Sequence, residues 1–359
     1  MADVIALDQR GTGFSNHIPR CVADRRLDPA EVLSEATLTR YFTETLGQCL
    51  SRWTAAGVAV RGYTTVQSAD DLEDLRRALG APKIDLWGIS YGTHLAMASM
   101  RRHPTSIGRA ALASAEGMDQ TVKLPARLAP VYARIDAAAG GGLTDRMRRV
   151  HARFDAEPQR FSGLSKAGAP FAFRADSFAL RLRASSVPKN PDGIATLAGI
   201  YEAVDEGRTD ELAVSLHEDF YAEPLTLRGM GELMDIASGV SDARLAQARR
   251  QAPGSLSGLS HNFPMPQLRG AVPSLDLGEG FRREIVTNHP VLLFSGDLDV
   301  RTPIEEQEPA TAGLSDLHRI VVRNGGHDLF EAHPAVSKLL TDFFLGRKLT
   351  TRALLLPAP

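Results

Sequence analysis

The sequence predicts an α/β fold: a mainly parallel sheet covered by helices, with a helical insertion. Three observations carry this. Short apolar runs alternate with amphipathic helical stretches up to residue 116, a rhythm that favours a doubly covered parallel sheet. The rhythm stops between 117 and 288, where helical and loop-like patterns are broken at Gly140-Gly141-Gly142, Pro188 to Pro191 and Pro264-Met265-Pro266. It returns at 289, which gives a discontinuous core (1–116 and 289–359) and a helical cap (117–288).

In chain order, the run Val4-Ile5-Ala6-Leu7 predicts a buried strand, and Asp8 to Ser15 a glycine-bearing loop at its carboxyl end. In open α/β sheets such loops line ligand crevices. A polar helix is expected over 37–53. The next helix, over 68–80, has Ser68 and Asp71 in the pattern of a capping box, Leu72, Leu75 and Leu79 as its apolar stripe, and Gly80 as its stop. A strand over 84–89 then runs straight into a helix through Gly88-Ile89-Ser90-Tyr91-Gly92, and another strand follows over 108–114. Past the cap, a strand at 290–295 leads into Gly296-Asp297-Leu298-Asp299. A second, at 317–322, leads into Asn324-Gly325-Gly326-His327-Asp328. An amphipathic helix over 335–345 comes last, and the tail beyond Arg347 is expected to be loosely held.

Composition excludes several classes. A formal charge of -2 argues against a nucleic-acid or anionic-membrane surface. The Arg-rich run at 146–153 reads as a solvated helix face. No stretch reaches the 18 apolar residues of a membrane span, and the first residues lack a signal-peptide pattern. The two cysteines, Cys21 and Cys49, have no metal-ligand spacing, so neither a metal nor a cofactor is expected.

The chemistry-bearing stretch is strand, G-x-S-x-G, helix. A strand that turns directly into a helix leaves no room for side chains at Gly88 and Gly92 and holds the central serine in strained backbone. It presents Ser90 Oγ clear of the sheet, with the Tyr91 N–H beside it as an oxyanion donor. A serine hydroxyl needs a base, and an imidazole base needs a carboxylate to fix its tautomer. Both should follow later strands in the order serine, acid, histidine. His327 supplies the base, and either Asp297 or Asp299 the acid. His94 and His103 fall on the elbow helix as packing or surface residues, and His333 begins the last helix.

Four segments together resemble the proline iminopeptidase and tripeptidyl aminopeptidase group of α/β-hydrolase serine peptidases: Asp8 to Ser15, Gly88 to Thr93, Ser295 to Pro303 and Gly325-Gly326-His327. The resemblance covers both core blocks, about half the chain. It implies an α/β-hydrolase fold and places the triad acid on Asp299. Similarity to the tripeptidyl branch around Cys21, Gln48-Cys49-Leu50 and Tyr63-Thr64-Thr65 implies a Cys21–Cys49 disulfide and an exported protein. Members of the group carry an HGGPG-type segment upstream that supplies a second oxyanion donor. Here nothing matches it, so the resemblance implies an absent N-terminal part, and a strand missing between residues 4–7 and the elbow strand. The sheet must close that gap, or the native chain is longer.

The resulting expectation is a serine hydrolase that releases short N-terminal peptides or single residues through an acyl-enzyme on Ser90. The alternatives are a carboxylic-ester hydrolase of the same fold, and a truncated, inert chain. Glu202, Asp205 and Glu206 in the cap are conceivable partners for a substrate amino group.

Overall fold

The computed structural model describes residues 3–359. Its elements run β1 (Cys21–Val22), β2 (Val32–Leu33), α1 (Glu35–Ala55), α2 (Thr65–Ala78), β3 (Ile84–Ile89), α3 (Tyr91–Arg102) and β4 (Ile107–Ala113). The cap follows: α4 (Pro125–Ala138), α5 (Leu143–Ala156), β5 (Gln159–Leu164), β6 (Pro170–Ala175), α6 (Ser177–Ser186), α7 (Asp192–Asp205), α8 (Asp210–Phe220), β7 (Thr226–Leu227), α9 (Met230–Ser238), α10 (Asp242–Gln251) and α11 (Gly278–Arg282). The chain then returns to the core with β8 (Val291–Gly296), α12 (Ile304–Ala310), β9 (Leu317–Arg323), α13 (Pro334–Phe344) and β10 (Ala353–Leu355).

Five parallel strands form the central sheet in the order β10-β9-β8-β4-β3. The period of two in a strand divides its side chains between two cores. Leu112 and Leu293 pack with Met97 and Met100 of α3 on one face. Ala111, Ala113, Leu292 and Phe294 pack with Val336 and Phe343 of α13 on the other. Both faces are covered, and the most central strand, β8, is buried throughout and reads as a continuous apolar run, while β3 and β9 carry Asp85, His318 and Arg319 at half-buried or exposed positions.

The N-terminal expectation fails. Residues 4–7 form no strand, and Val4 and Ile5 are 81% and 52% exposed. An apolar run becomes a strand only where a partner completes its ladder, and none of the described strands pairs with this one. Among the described strands, β3 pairs with β4 alone and lies at the edge of the sheet.

The helix expected over 68–80 starts earlier, at Thr65. Thr64 and not Ser68 flanks its first turn, and Ser68 lies buried inside it. Its buried face is Thr65, Ser68, Ala69 and Glu73, while Leu79 is 51% exposed. The leucine stripe holds in part: Leu72 packs against the core and Leu75 is half-buried, but Leu79 is exposed, while Glu73 is buried against Arg76, whose Nη2 lies 2.8 Å away. The glycine stop is present: Gly80 sits at φ +63°, with the two bonds of a Schellman motif, Gly80 N to Arg77 O and Ala81 N to Arg76 O.

The cap is not purely helical. The β5–β6 hairpin pairs through β6 with β2, and β7 pairs with β1. Leu33, Leu38 and Tyr41 from the first block therefore share one buried cluster with Val131, Tyr132, Leu197 and Tyr201 of the cap. A disulfide joins Cys21 to Cys49, tying β1 to α1 with the two Cα atoms 5.6 Å apart. The tail is also more ordered than expected, since β10 adds a parallel strand beside β9.

Candidate active site

Ser90, Asp297, Asp299 and His327 all follow carboxyl ends of parallel strands, so the topology gathers them at one edge of the sheet. At the elbow, Ser90 has φ 55° and ψ -124°, a conformation that strains any residue with a Cβ. Gly88 is demanded by packing: a Cβ there would meet Gly92 O at 2.7 Å. Gly92 is not, since the space where its Cβ would stand is open. The expectation of crowding at both glycines therefore holds at one only. Thr93 secures the turn by donating from Oγ1 to Ser90 O at 2.6 Å and accepting the Glu116 N–H at 2.7 Å.

The carboxylate that meets the histidine belongs to Asp299. His327 Nδ1 lies 3.0 Å from both of its oxygens. Asp299 is fully buried, and three further donors hold it: Arg301 N (2.8 Å), Thr302 N (3.0 Å) and Thr302 Oγ1 (2.7 Å). Burial alone would push its carboxyl up; the neighbouring imidazole and the Thr302 bonds outweigh this and keep it below the usual carboxylate range. Asp297 does other work, accepting the Asn324 N–H at 2.8 Å and shaping the turn after β9.

The serine and histidine loops are both tied to the end of β4. Ser90 N donates to Ala113 O at 3.1 Å, and the adjacent Ser114 donates from Oγ to His327 O at 2.8 Å. Trp87 of β3 stands edge-on to Phe330, three residues past His327, with ring centroids 5.2 Å apart. Among the described residues, no hydrogen bond joins Ser90 Oγ to His327 Nε2; the pairing the structure makes is that of His327 with Asp299. The Tyr91 N–H opens α3, where the helix dipole favours negative charge.

Beside the elbow lies a buried polar layer. His94 is not a packing residue alone: Nδ1 is 3.0 Å from Gly117 O, and Nε2 is 3.2 Å from Ser238 Oγ. Burial lowers its pKa. Ser238 Oγ also lies 3.1 Å from Thr65 Oγ1, which in turn is 3.3 Å from the Tyr91 hydroxyl. Glu116 is ion-paired with Lys123. One turn before Ser238, Asp235 has no cation within salt-bridge reach among the described residues, and burial, reinforced by the negative charge of Glu116, raises its carboxyl to about 7.

The acids expected for an amino group lie elsewhere. Asp205 pairs with Arg149 at 2.7 Å and Arg146 at 3.7 Å, Glu202 faces Arg146, and Glu206 pairs with Arg208. These contacts also neutralise the arginine run, which is a solvated face of α5. Sequence reasoning missed Asp235, Ser114 and Thr302. Only Thr302 left a signal, a hydroxyl three residues after the aspartate in Asp299-Val300-Arg301-Thr302-Pro303. His333 caps α13 as expected, its Nδ1 accepting the Ala335 N–H at 3.0 Å. Among the described residues no group of three or more His, Cys, Asp or Glu side chains could hold a metal ion, and no helix is long and apolar enough to cross a membrane.

A parallel sheet with a glycine-flanked serine elbow, and with an acid and a histidine on later strand ends, defines an α/β hydrolase. The chain belongs to the α/β-hydrolase fold family, whose model matches residues 2–334. No curated protein sequence matches it. Similar solved structures include an epoxide hydrolase from an endophytic Streptomyces (14% identity, 83% of this chain and 78% of that one, TM-score 0.38). Others are the enzyme MGS-M2 from a Medee basin deep-sea metagenome library (16%, 80% and 74%, TM-score 0.35) and a thermophilic esterase from Thermogutta terrifontis (17%, 79% and 72%, TM-score 0.33). Likenesses this distant say nothing of the substrate.

Proposed function

We propose that the protein is a serine hydrolase acting through an acyl-enzyme on Ser90, with peptides bearing a free N-terminus as its substrates. The observation that supports the chemistry is the buried Asp299–His327 pair, at the same sheet edge as a serine held at φ 55°. Ser90 Oγ attacks the carbonyl carbon while His327 Nε2 takes its proton. Asp299 holds the imidazole in the tautomer with the proton on Nδ1 and stabilises the imidazolium. The oxyanion forms against the Tyr91 N–H at the start of α3. His327 then protonates the departing amine, and water, deprotonated by the same histidine, releases the acyl group.

The peptidase reading draws on Asp235. A carboxylate beside the elbow with no salt-bridge partner among the described residues, Lys123 and Arg301 acting on it only at longer range, offers a place for an ammonium group, and a bound cation would return it to its ionised form. Ester hydrolysis needs the same triad and no such acid.

A fluorophosphonate probe tests the chemistry: the wild type labels and Ser90→Ala does not. An unlabelled, folded wild type would favour the inert reading. Paired peptide amides, with free and acetylated N-termini, test the substrate class. The free form should have a kcat/KM roughly 10–100-fold higher, the worth of a hydrogen bond to a charged group. Equal rates, or turnover of esters alone, would sink the peptidase reading.

A further inference from the structure

The histidine loop is held from outside the core as well as from within it. After β9 the chain runs Asn324-Gly325-Gly326-His327-Asp328, with Asn324 at φ 59° and two glycines that bring no side chains to stiffen it. Beyond the core's bonds to Asn324, Gly325 and His327 O, the cap stiffens it through the segment between α6 and α7. The Asn190 side chain accepts two backbone N–H groups on Oδ1, those of His327 and Asp328, each at 3.0 Å. Its Nδ2 donates to Asp328 Oδ2 at 2.7 Å. Lys189 adds its carbonyl, 2.9 Å from His327 N, and its ammonium, 2.9 Å from Asp328 Oδ2. The approach is so close that a Cβ on Gly326 would meet Asn190 Cα at 2.6 Å.

The adjoining last turn of α6 reaches the acid loop, where Arg301 donates from Nη1 to Ser185 O at 3.3 Å. His327 is therefore fixed at three points by three parts of the chain. Its N–H is held by the cap, its carbonyl by Ser114 of the core, and its Nδ1 by Asp299.

We infer that Asn190 is a positioning residue for His327, so that docking of the cap and placement of the base are a single event. This rests on the reading of Ser90 as nucleophile and His327 as its base. Only an amide fits the three contacts as they stand, because it accepts from two N–H groups on one atom and donates to Asp328 from the other. Alanine leaves the loop to be ordered by water. Aspartate keeps the acceptor and sets a second carboxylate against that of Asp328. The pair Asn190→Asp with Asp328→Asn exchanges donor and acceptor between the two side chains and keeps the acceptor for both backbone N–H groups; it gives up the Lys189–Asp328 ion pair, which is half exposed and contributes little.

The test is the rate of Ser90-dependent fluorophosphonate labelling, resolved into the maximal rate and the half-saturating probe concentration. Asn190→Ala and Asn190→Asp should each lower the maximal rate about 10–100-fold, with half-saturation within about twofold, because the bonds order the base and do not touch the probe. The double variant should recover to within about fivefold of wild type. Near-UV circular dichroism identifies any variant that fails to fold; should alanine fail, the aspartate single and double variants decide. Wild-type rates in the folded single variants, or no recovery in the double, overturn the inference. Labelling that survives Ser90→Ala overturns the serine-hydrolase reading instead.

Discussion

Asp299 and His327 stand at the ends of β8 and β9, strands with neighbours on both sides, and both carboxylate oxygens of Asp299 are bonded. Ser90 stands at the end of β3, which has a neighbour on one side only and leaves Trp87 55% exposed. The two halves of the site are positioned by different physics. The acid–base half is held by convergent hydrogen bonds, each of which one substitution can remove. The nucleophile half is held by the covalent geometry of a strained turn, with a closely packed Gly88 as its chief requirement. Function should therefore be most sensitive on the bonded half, and the open half should tolerate change in everything except the elbow itself.

The largest expected effect tests that directly. Asp299→Asn keeps the volume but lets the amide donate toward Nδ1, favouring the wrong tautomer. Labelling or turnover should fall by about 10³–10⁴-fold, with substrate half-saturation little changed. A loss below about tenfold would mean that the carboxylate is not what holds the base.

A smaller effect concerns the acid beside the elbow. Asp235 is held neutral to about pH 7 by burial, whereas in the unfolded chain it ionises near pH 4. Between those values the folded state binds more protons than the unfolded state, so this group lowers stability as pH rises through the window. Asp235→Asn removes the penalty. The variant should match wild type near pH 3.5 and exceed it at pH 8 by on the order of a few kcal/mol in urea unfolding. Equal stabilities at both pH values would show that Asp235 ionises freely in the fold.

The sequence made the core sheet legible where burial is two-sided: the strands ending at Ala113 and Gly296 are buried and largely apolar, while those ending at Ile89 and Arg323 carry Asp85, His318 and Arg319 yet stay apolar enough to read, and each delivers its loop to the site. It misled where apolar character and burial part company. Residues 4–7 look like such a strand but have no ladder partner, and Leu79 completes a stripe yet lies exposed, while Glu73 is buried. The β5–β6 hairpin was illegible because its partner β2 lies more than a hundred residues upstream. Within the site, Ser90 and His327 are marked by glycines, as local chemistry allows. Asp235 and Asn190 are not, because nothing near them in sequence records that the negative charge of Asp235 is felt at Tyr91 or that Asn190 holds the His327 N–H.

The smallest expected effect lies on the open edge. Trp87 is half in solvent, and its defined aromatic contact is the edge-on ring of Phe330. Aromatic pairs of this geometry contribute about 0.5–1.5 kcal/mol beyond area burial, and an exposed ring has little area to lose. Trp87→Ser should therefore cost no more than about 1–2 kcal/mol in urea unfolding. The rate of Ser90 labelling should stay within about threefold of wild type, because the elbow conformation is set by Gly88 and by the bonds of Thr93. A loss of activity far out of proportion to the loss of stability would show that Phe330, and through it the histidine loop, leans on β3. The nucleophile half would then be coupled to the base through side-chain packing as well as through the backbone.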